Sequence, residues 1–191
     1  WVGREQELKE IAQWAKDKKS GYYDCVVGVS GGKDSTFQAF YAKEKLGLRP
    51  LLVNGVPENI TDYGKHNIEN LINWGFDLVT LRTDPNVNKE LSRQSFFRYG
   101  NIVKASEYPL WASAYIIACK FEIPLVIQGE NPALVFGLKT EGLALDGNAL
   151  NIKNHDTLGG GDLSIWVTDV IKEDQLFMYK FPDVDELVRK D

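Results

Sequence analysis

Histidine, cysteine and methionine are scarce in this 191-residue sequence: two His, two Cys and one Met. His66 and His155 have no partners at metal-ligand spacing and are expected at the surface. Cys25 lies in an apolar strand-like run and Cys119 in an apolar helix-like run, and they form no pair motif. Both are expected to act as small buried hydrophobes. So few thiols exclude a disulfide scaffold, and no zinc site is expected within the chain. No apolar run nears the ~20 residues that span a bilayer, so no membrane partner is expected. The first residues show no basic-then-apolar signal segment, and with the cysteine count this points to the cytoplasm. The sequence starts at Trp1, so a longer native chain is kept open. Lys and Arg number 22 against 27 Asp and Glu, a net charge of −5 that argues against a nucleic-acid partner. With 43% hydrophobic and 26% charged residues the composition excludes a disordered chain, and the length suits one domain.

What is present is an alternation of strands and helices. A helix is predicted from about Arg4 to Lys18, with Leu8, Ile11 and Ala15 on one face. Residues 1–20 form an N-terminal helical segment on this reading. Cys25-Val26-Val27-Gly28-Val29 reads as a strand buried on both sides. A glycine loop follows, then a helix from Lys33 or Asp34 to Gly47 with Phe37, Phe40 and Tyr41 inward. Pro50–Val53 is a second strand, and a helix from Asp62 to Gly75 turns Ile68, Leu71 and Ile72 inward. Phe76–Leu81 is a third strand, Pro85 opens a helix to Tyr99, and another spans Tyr108 to Phe121. Its predicted buried stripe is Leu110, Ala114, Ile117, Ala118 and Phe121. Pro124–Ile127 is a fourth strand. From residue 139 to 191 glycine and asparagine interrupt the pattern, giving a loop-rich segment with short helices at Asp169–Tyr179 and Asp183–Lys190. There is no internal repeat.

This order implies an α/β fold: a Rossmann-like parallel sheet with helices on both faces, three layers deep. Such sheets bind ligands at the C-terminal ends of their strands, where strand order reverses. Three loops leave those ends with glycine or polar residues: Ser30 to Ser35, Asn54 to Asn59, and Gly129 to Asn131.

Spacing decides what the first loop is. A Walker A loop would need Gly at position 27, where Val27 stands, and Ser or Thr after the lysine, where Asp34 stands. A dinucleotide fingerprint fails at Gly28-Val29-Ser30. What remains is Ser30-Gly31-Gly32-Lys33-Asp34-Ser35 between a strand and a helix, a ready anion site. Gly31 and Gly32 admit phosphates close to the backbone. Ser30 and Ser35 offer hydroxyls, and Lys33 a positive charge. Asp34 would be repelled by phosphate alone, so it is expected beside Mg²⁺ or capping the helix.

The loop resembles the PP-loop of the N-type ATP pyrophosphatases, the adenine nucleotide α-hydrolase-like superfamily. The resemblance implies ATP as cofactor and attack at its α-phosphate. Further stretches narrow it: Gln128-Gly129-Glu130-Asn131-Pro132, Tyr99-Gly100-Asn101-Ile102-Val103-Lys104, and Leu158-Gly159-Gly160-Gly161-Asp162. With these the chain is similar to the N-acetyl sugar amidotransferases of bacterial surface-polysaccharide (lipopolysaccharide O-antigen) biosynthesis. That family implies adenylation of an N-acetyl sugar or nucleotide sugar. Ammonia from a glutaminase with a HisH/HisF-like synthase subunit then gives an acetamidino sugar. Members often carry an N-terminal cysteine pair and further cysteines near the position of Val103, and this chain has neither.

The resemblance and the loop position together nominate the site. Lys33, Asp34, Glu130 and Lys104 are expected to be catalytic. Ser30, Gly31, Gly32, Lys33, Asp34, Ser35, Val53, Asn54 and Gly129 are expected to bind nucleotide, the Val53–Asn54 backbone reading the adenine edge. Glu107, Asn131, Gly159, Gly160 and Gly161 are expected on the sugar side, and Asp34 and Glu130 are the Mg²⁺ candidates. Two other readings stay open here: a PP-loop enzyme that modifies tRNA, and a nucleotide-binding homologue without catalysis. A homo-oligomer is also left open.

Overall fold

The computed structural model describes residues 3–56, 59–129, 158 and 161–183. The chain divides into two compact units, Trp1–Leu81 with Ile117–Gly129, and Arg82–Ile116 with Glu130–Asp191.

The first unit is built on four parallel strands: β1 (Cys25–Gly28), β2 (Pro50–Gly55), β3 (Asp77–Leu81) and β4 (Leu125–Ile127), in the order β3-β2-β1-β4. The chain steps from β1 out to β3 and then returns to the other side of β1. Strand order therefore reverses between β1 and β4, which makes their C-terminal ends the switch point of the sheet. Register pairs Val27 with Leu52 and Ile127, and Leu52 with Leu78. These side chains consequently share one face. On that face they form a core with Ala12 and Ala15 of α1 (Arg4–Lys18), Ala39 of α2 (Lys33–Phe40), and Ile68 and Leu71 of α3 (Asp62–Asn73). Val26, Leu51 and Val53 on the opposite face are buried too, as an α/β parallel sheet requires.

The helices touch the sheet through smaller residues than expected. Leu8 and Ile11 lie on the predicted stripe of α1, yet only Ala12 and Ala15 are buried. Phe37 was expected inward and is 65% exposed; Ser35 and Ala39 are the buried residues of α2. Phe40 and Tyr41 are half-buried. Ile72 of α3 is exposed while Ile68 and Leu71 are buried as read. Alanine lets a helix axis approach a sheet closely, and the larger side chains are then displaced to its flanks. Leu8, Ile11 and Phe37 end up beside Leu125 and Ile127, around an apolar cavity of about 440 Å³.

After α2 the helix widens into a π turn over Tyr41–Lys45, and Gly47 ends it at a positive φ of 62°. At the N-terminal end of the sheet Asp24 is 1% exposed. It accepts from Lys19 Nζ at 2.5 Å and from the Arg49 N–H at 2.7 Å, tying the end of α1 to the starts of β1 and β2.

In the second unit α4 (Pro85–Tyr99) follows the reading residue for residue, with Pro85 opening it and Asp84 capping it. The next helix, α5 (Lys104–Phe121), starts four residues before the predicted Tyr108 and passes through Pro109; its last turn, from Ile117, belongs to the first unit. Leu110 and Phe121, expected in its buried stripe, are exposed; Ala114, Ile117 and Ala118 are buried as read. Residues 161–183, in the segment read as loop-rich, are anchored by the buried side chains of Trp166, Ile171, Leu176, Tyr179 and Phe181. They hold two 3₁₀ turns, Ser164–Trp166 and Glu173–Tyr179, the second standing where a helix from Asp169 was expected. Trp166 is 1% exposed, with the rings of Tyr99 and Tyr108 edge-on to it. The Tyr108 hydroxyl donates to the Leu158 carbonyl at 3.1 Å. The helix predicted at 183–190 lies almost wholly outside the described residues. Among the described residues no helix is long and apolar enough to cross a membrane.

Candidate active site

The loop Ser30–Ser35 leaves β1 at the switch point and opens α2. Gly31 holds φ at +78°, the left-handed region that glycine enters without steric cost. A Cβ there would lie 3.2 Å from Asn67 Cβ and 3.4 Å from the Gly64 carbonyl oxygen. The loop is therefore pressed against the first turns of α3, and Gly31 is fixed both by its dihedral and by its neighbours.

Three side-chain contacts inside the loop shape it. The Ser30 N–H donates to Ser35 Oγ at 3.3 Å, and Ser35 Oγ donates to the Gly32 carbonyl at 3.3 Å. The Gly32 N–H donates to Ser30 Oγ at 3.4 Å. Ser35 is thus buried as a brace of the loop. Ser30 stays exposed. The N-cap of α2 is Gly32, and no side chain caps the helix. By contrast, Thr61 caps α3 and Asp84 caps α4. The first-turn N–H groups of α2 are left for a ligand, at the positive end of the helix dipole.

Asp34 does not cap the helix. Its two carboxylate oxygens each lie 2.8 Å from Lys33 Nζ, and both side chains are exposed, 87% for Lys33 and 74% for Asp34. An exposed pair of neighbours holds weakly and is readily exchanged for other partners. Lys33 is thus a mobile positive charge at the mouth of the loop. Asp34 is an accessible carboxylate, of the kind that binds Mg²⁺ together with phosphate oxygens and water. Among the described residues there is no cluster of three or more His, Cys, Asp or Glu able to hold a metal by protein ligands alone.

Val53 and Asn54 lie near the end of β2, which runs to Gly55, next to the loop. The Val53 carbonyl accepts from the Val29 N–H at 2.8 Å. Asn54 is buried, and its Nδ2 donates to the Val29 carbonyl at 2.7 Å. Its side chain therefore serves the loop, which the sequence did not reveal. Gly129 follows β4, and a Cβ on it would meet Gln38 Oε1 at 3.4 Å, so it lies against α2. A Cβ on Gly28 would be 2.6 Å from Gln128 Oε1. The amide of Gln128, the far end of a flexible side chain, lies across Gly28. Asn67 was missed by sequence reasoning, since it stands in no recognisable motif, and Gln128 stood in the Gln128–Pro132 stretch without being given a role.

Glu130, Asn131, Gly159 and Gly160 lie outside the described residues. Lys104 and Glu107 stand in the first turn of α5 in the second unit, with Lys104 Nζ 5.1 Å from the centre of the Tyr99 ring. Gly161, in the same unit, has φ +77° and donates its N–H to Leu158 at 3.0 Å. His66 is exposed as expected. Burial pushes the Cys25 thiol up to about 12, so it is an inert core group. Cys119 is half-buried.

No protein-family model matches this chain, and no curated protein matches it. Among solved structures it is similar to the NMN synthetase of Francisella tularensis, with a TM-score of 0.49 and 21% identity over 71% of this chain and 58% of that one. The chain thus spans under two thirds of that protein's length, and the likeness is too slight to assign an activity.

Proposed function

We propose that this chain binds ATP through Ser30–Ser35 and directs attack at the α-phosphate, so that pyrophosphate leaves into the loop. The observation that carries the reading is Ser-Gly-Gly-Lys-Asp-Ser at the switch point of a parallel sheet, folded against a helix end that no side chain caps. Backbone N–H groups at the start of α2 would hold the pyrophosphate oxygens. The Ser30 hydroxyl would donate to one of them, and Lys33, released from Asp34, would offset the charge that builds on the leaving group. Asp34 fits the Mg²⁺ role, and the ion would supply charge neutralisation of the phosphates.

The acceptor we infer is the acetamido oxygen of an N-acetylated sugar or nucleotide sugar. That oxygen attacks the α-phosphorus as the bond to pyrophosphate breaks, giving an O-adenylated imidate. Ammonia then adds to the imidate carbon, and AMP departs with the former amide oxygen, leaving an acetamidino group. Glu130 and Lys104 are proposed to assist the two transfers. Glu107, Asn131 and the Gly159–Gly161 segment are proposed to contact the sugar, and a separate glutaminase is proposed to deliver the ammonia. The resemblance of Gln128–Pro132 and Leu158–Asp162 to the amidotransferase family supports this choice, and the net charge of −5 disfavours a tRNA acceptor. Incubation with ATP, Mg²⁺, ammonium and a panel of UDP-N-acetyl sugars should release AMP and pyrophosphate. Formation of ADP and phosphate instead would overturn the α-phosphate chemistry. AMP release stimulated by tRNA and by no sugar would overturn the acceptor.

A further inference from the structure

The peptide unit that opens the loop, between Val29 and Ser30, is gripped at both polar ends. The regular ladder between β1 and β2 ends with the Val29 N–H on the Val53 carbonyl. Beyond that point the chain turns away, and the Val29 carbonyl has no strand to pair with. Asn54 supplies the missing donor: its backbone faces β3, where it is in register with Thr80, while its side chain reaches back to the Val29 oxygen at 2.7 Å. The other end of the same peptide, the Ser30 N–H, is held by Ser35 Oγ. A peptide is planar, so fixing its oxygen and its hydrogen fixes its orientation. Asn54 is 2% exposed, so water does not compete for the bond.

We propose that Asn54 is a positioning residue for the phosphate loop: its side-chain amide sets the Val29–Ser30 peptide, and through it the direction of the loop N–H groups. The inference rests on the reading of Ser30–Ser35 as an ATP loop, and it assigns a role to the side chain and not to the backbone. Without the amide, the Val29 carbonyl is left buried and unpaired. It regains a partner only by rotating the peptide, which pulls the Ser30 N–H off Ser35 and turns a carbonyl dipole toward the anion site. The loop is then ordered at the expense of bound phosphate.

The test uses the full chain with Asn54→Leu, nearly the same size without a donor, and Asn54→Ser, whose hydroxyl is too short to reach. Calorimetry would measure magnesium pyrophosphate and adenosine separately, with a melting curve for each protein. Pyrophosphate affinity should fall about tenfold in both variants, as expected for one buried acceptor left unpaired, while adenosine affinity changes less than twofold. Hydrogen exchange in the unliganded protein should speed up at the Ser30 amide. Equal losses for adenosine and pyrophosphate would place Asn54 at the base and overturn the inference. So would a lower melting temperature with unchanged pyrophosphate affinity and unchanged exchange at Ser30. Failure of the unsubstituted chain to bind ATP or pyrophosphate would instead refute the ATP reading, and the exchange measurement would still decide the clamp.

Discussion

Alanine at position 31 separates two demands that the phosphate loop makes on its glycines. At φ +78° a side chain costs roughly 1–2 kcal/mol from the clash between Cβ and the backbone. The new methyl would also press on Asn67 Cβ at 3.2 Å, with the Gly64 oxygen and Ile68 Cδ1 both at 3.4 Å. One of these atoms is backbone and another is a helix Cβ, so there is little room to yield, and overpacking adds about 1 kcal/mol. The total of about 2–3 kcal/mol lowers the melting temperature by about 4–12 °C for a chain of this size. Gly32 supplies the control. Its φ of −77° suits any residue, and a Cβ there would meet only the movable Ser30 Oγ at 3.3 Å. Gly32→Ala should leave the melting temperature within about 2 °C, a change under about 0.5 kcal/mol. It should still weaken ATP binding, because the methyl would stand where the phosphates approach the backbone. Calorimetric melting of both variants without nucleotide, then ATP titration, tests the pair. Equal melting temperatures for Gly31→Ala and the parent chain would refute the strain and contact reasoning. Undiminished ATP binding by Gly32→Ala would refute the placement of phosphate on the loop backbone.

Two further outcomes are expected. Asp24→Ala removes a buried carboxylate from Lys19 and from the Arg49 N–H and should cost about 3 kcal/mol, the lower end for breaking a buried pair because Lys19 can extend to water; a denaturation midpoint unchanged from the parent would sink this. Cys25 should be inert to thiol reagents at pH 8 while the chain is folded. Its pKa is raised by burial from near 9 to about 12, so the thiol's contribution to stability is complete below about pH 9 and is lost as pH rises toward 12. Cys25→Ala should flatten that alkaline loss, and an identical pH profile in the variant would count against it.

The loop was legible because its chemistry is contiguous. Six adjacent residues after an apolar run state both the turn and the charge, and the strand and helix on either side follow from short-range pattern. Pro85 and Asp84 marked the start of α4 just as plainly. The faces of the helices were harder to read. Hydrophobicity nominated Phe37, Ile72 and Leu110, which are exposed; Leu71 and Ala114, nominated beside them, are buried, and so is Ala39, which was not nominated. Periodicity gives the direction of a stripe but not how close the axis comes to its neighbour, and that distance decides whether alanine or phenylalanine fits beneath. The role of Asn54 was also out of reach. Its partner is 25 residues away, and nothing in the local sequence says that β1 runs out of ladder at Val29.

The sequence by itself determined the alternation of elements, the parallel sheet, and the glycine loop Ser30–Ser35 between a strand and a helix, since each depends on residues close together in the chain. The tertiary structure decided how that loop is held. The order β3-β2-β1-β4 puts its opening peptide beside Asn54, its Gly31 against Asn67, and the end of β4 at its flank. Those contacts depend on which strands become neighbours. Strand order is set by burial and crossover geometry summed over the whole sheet, which no local stretch of residues contains.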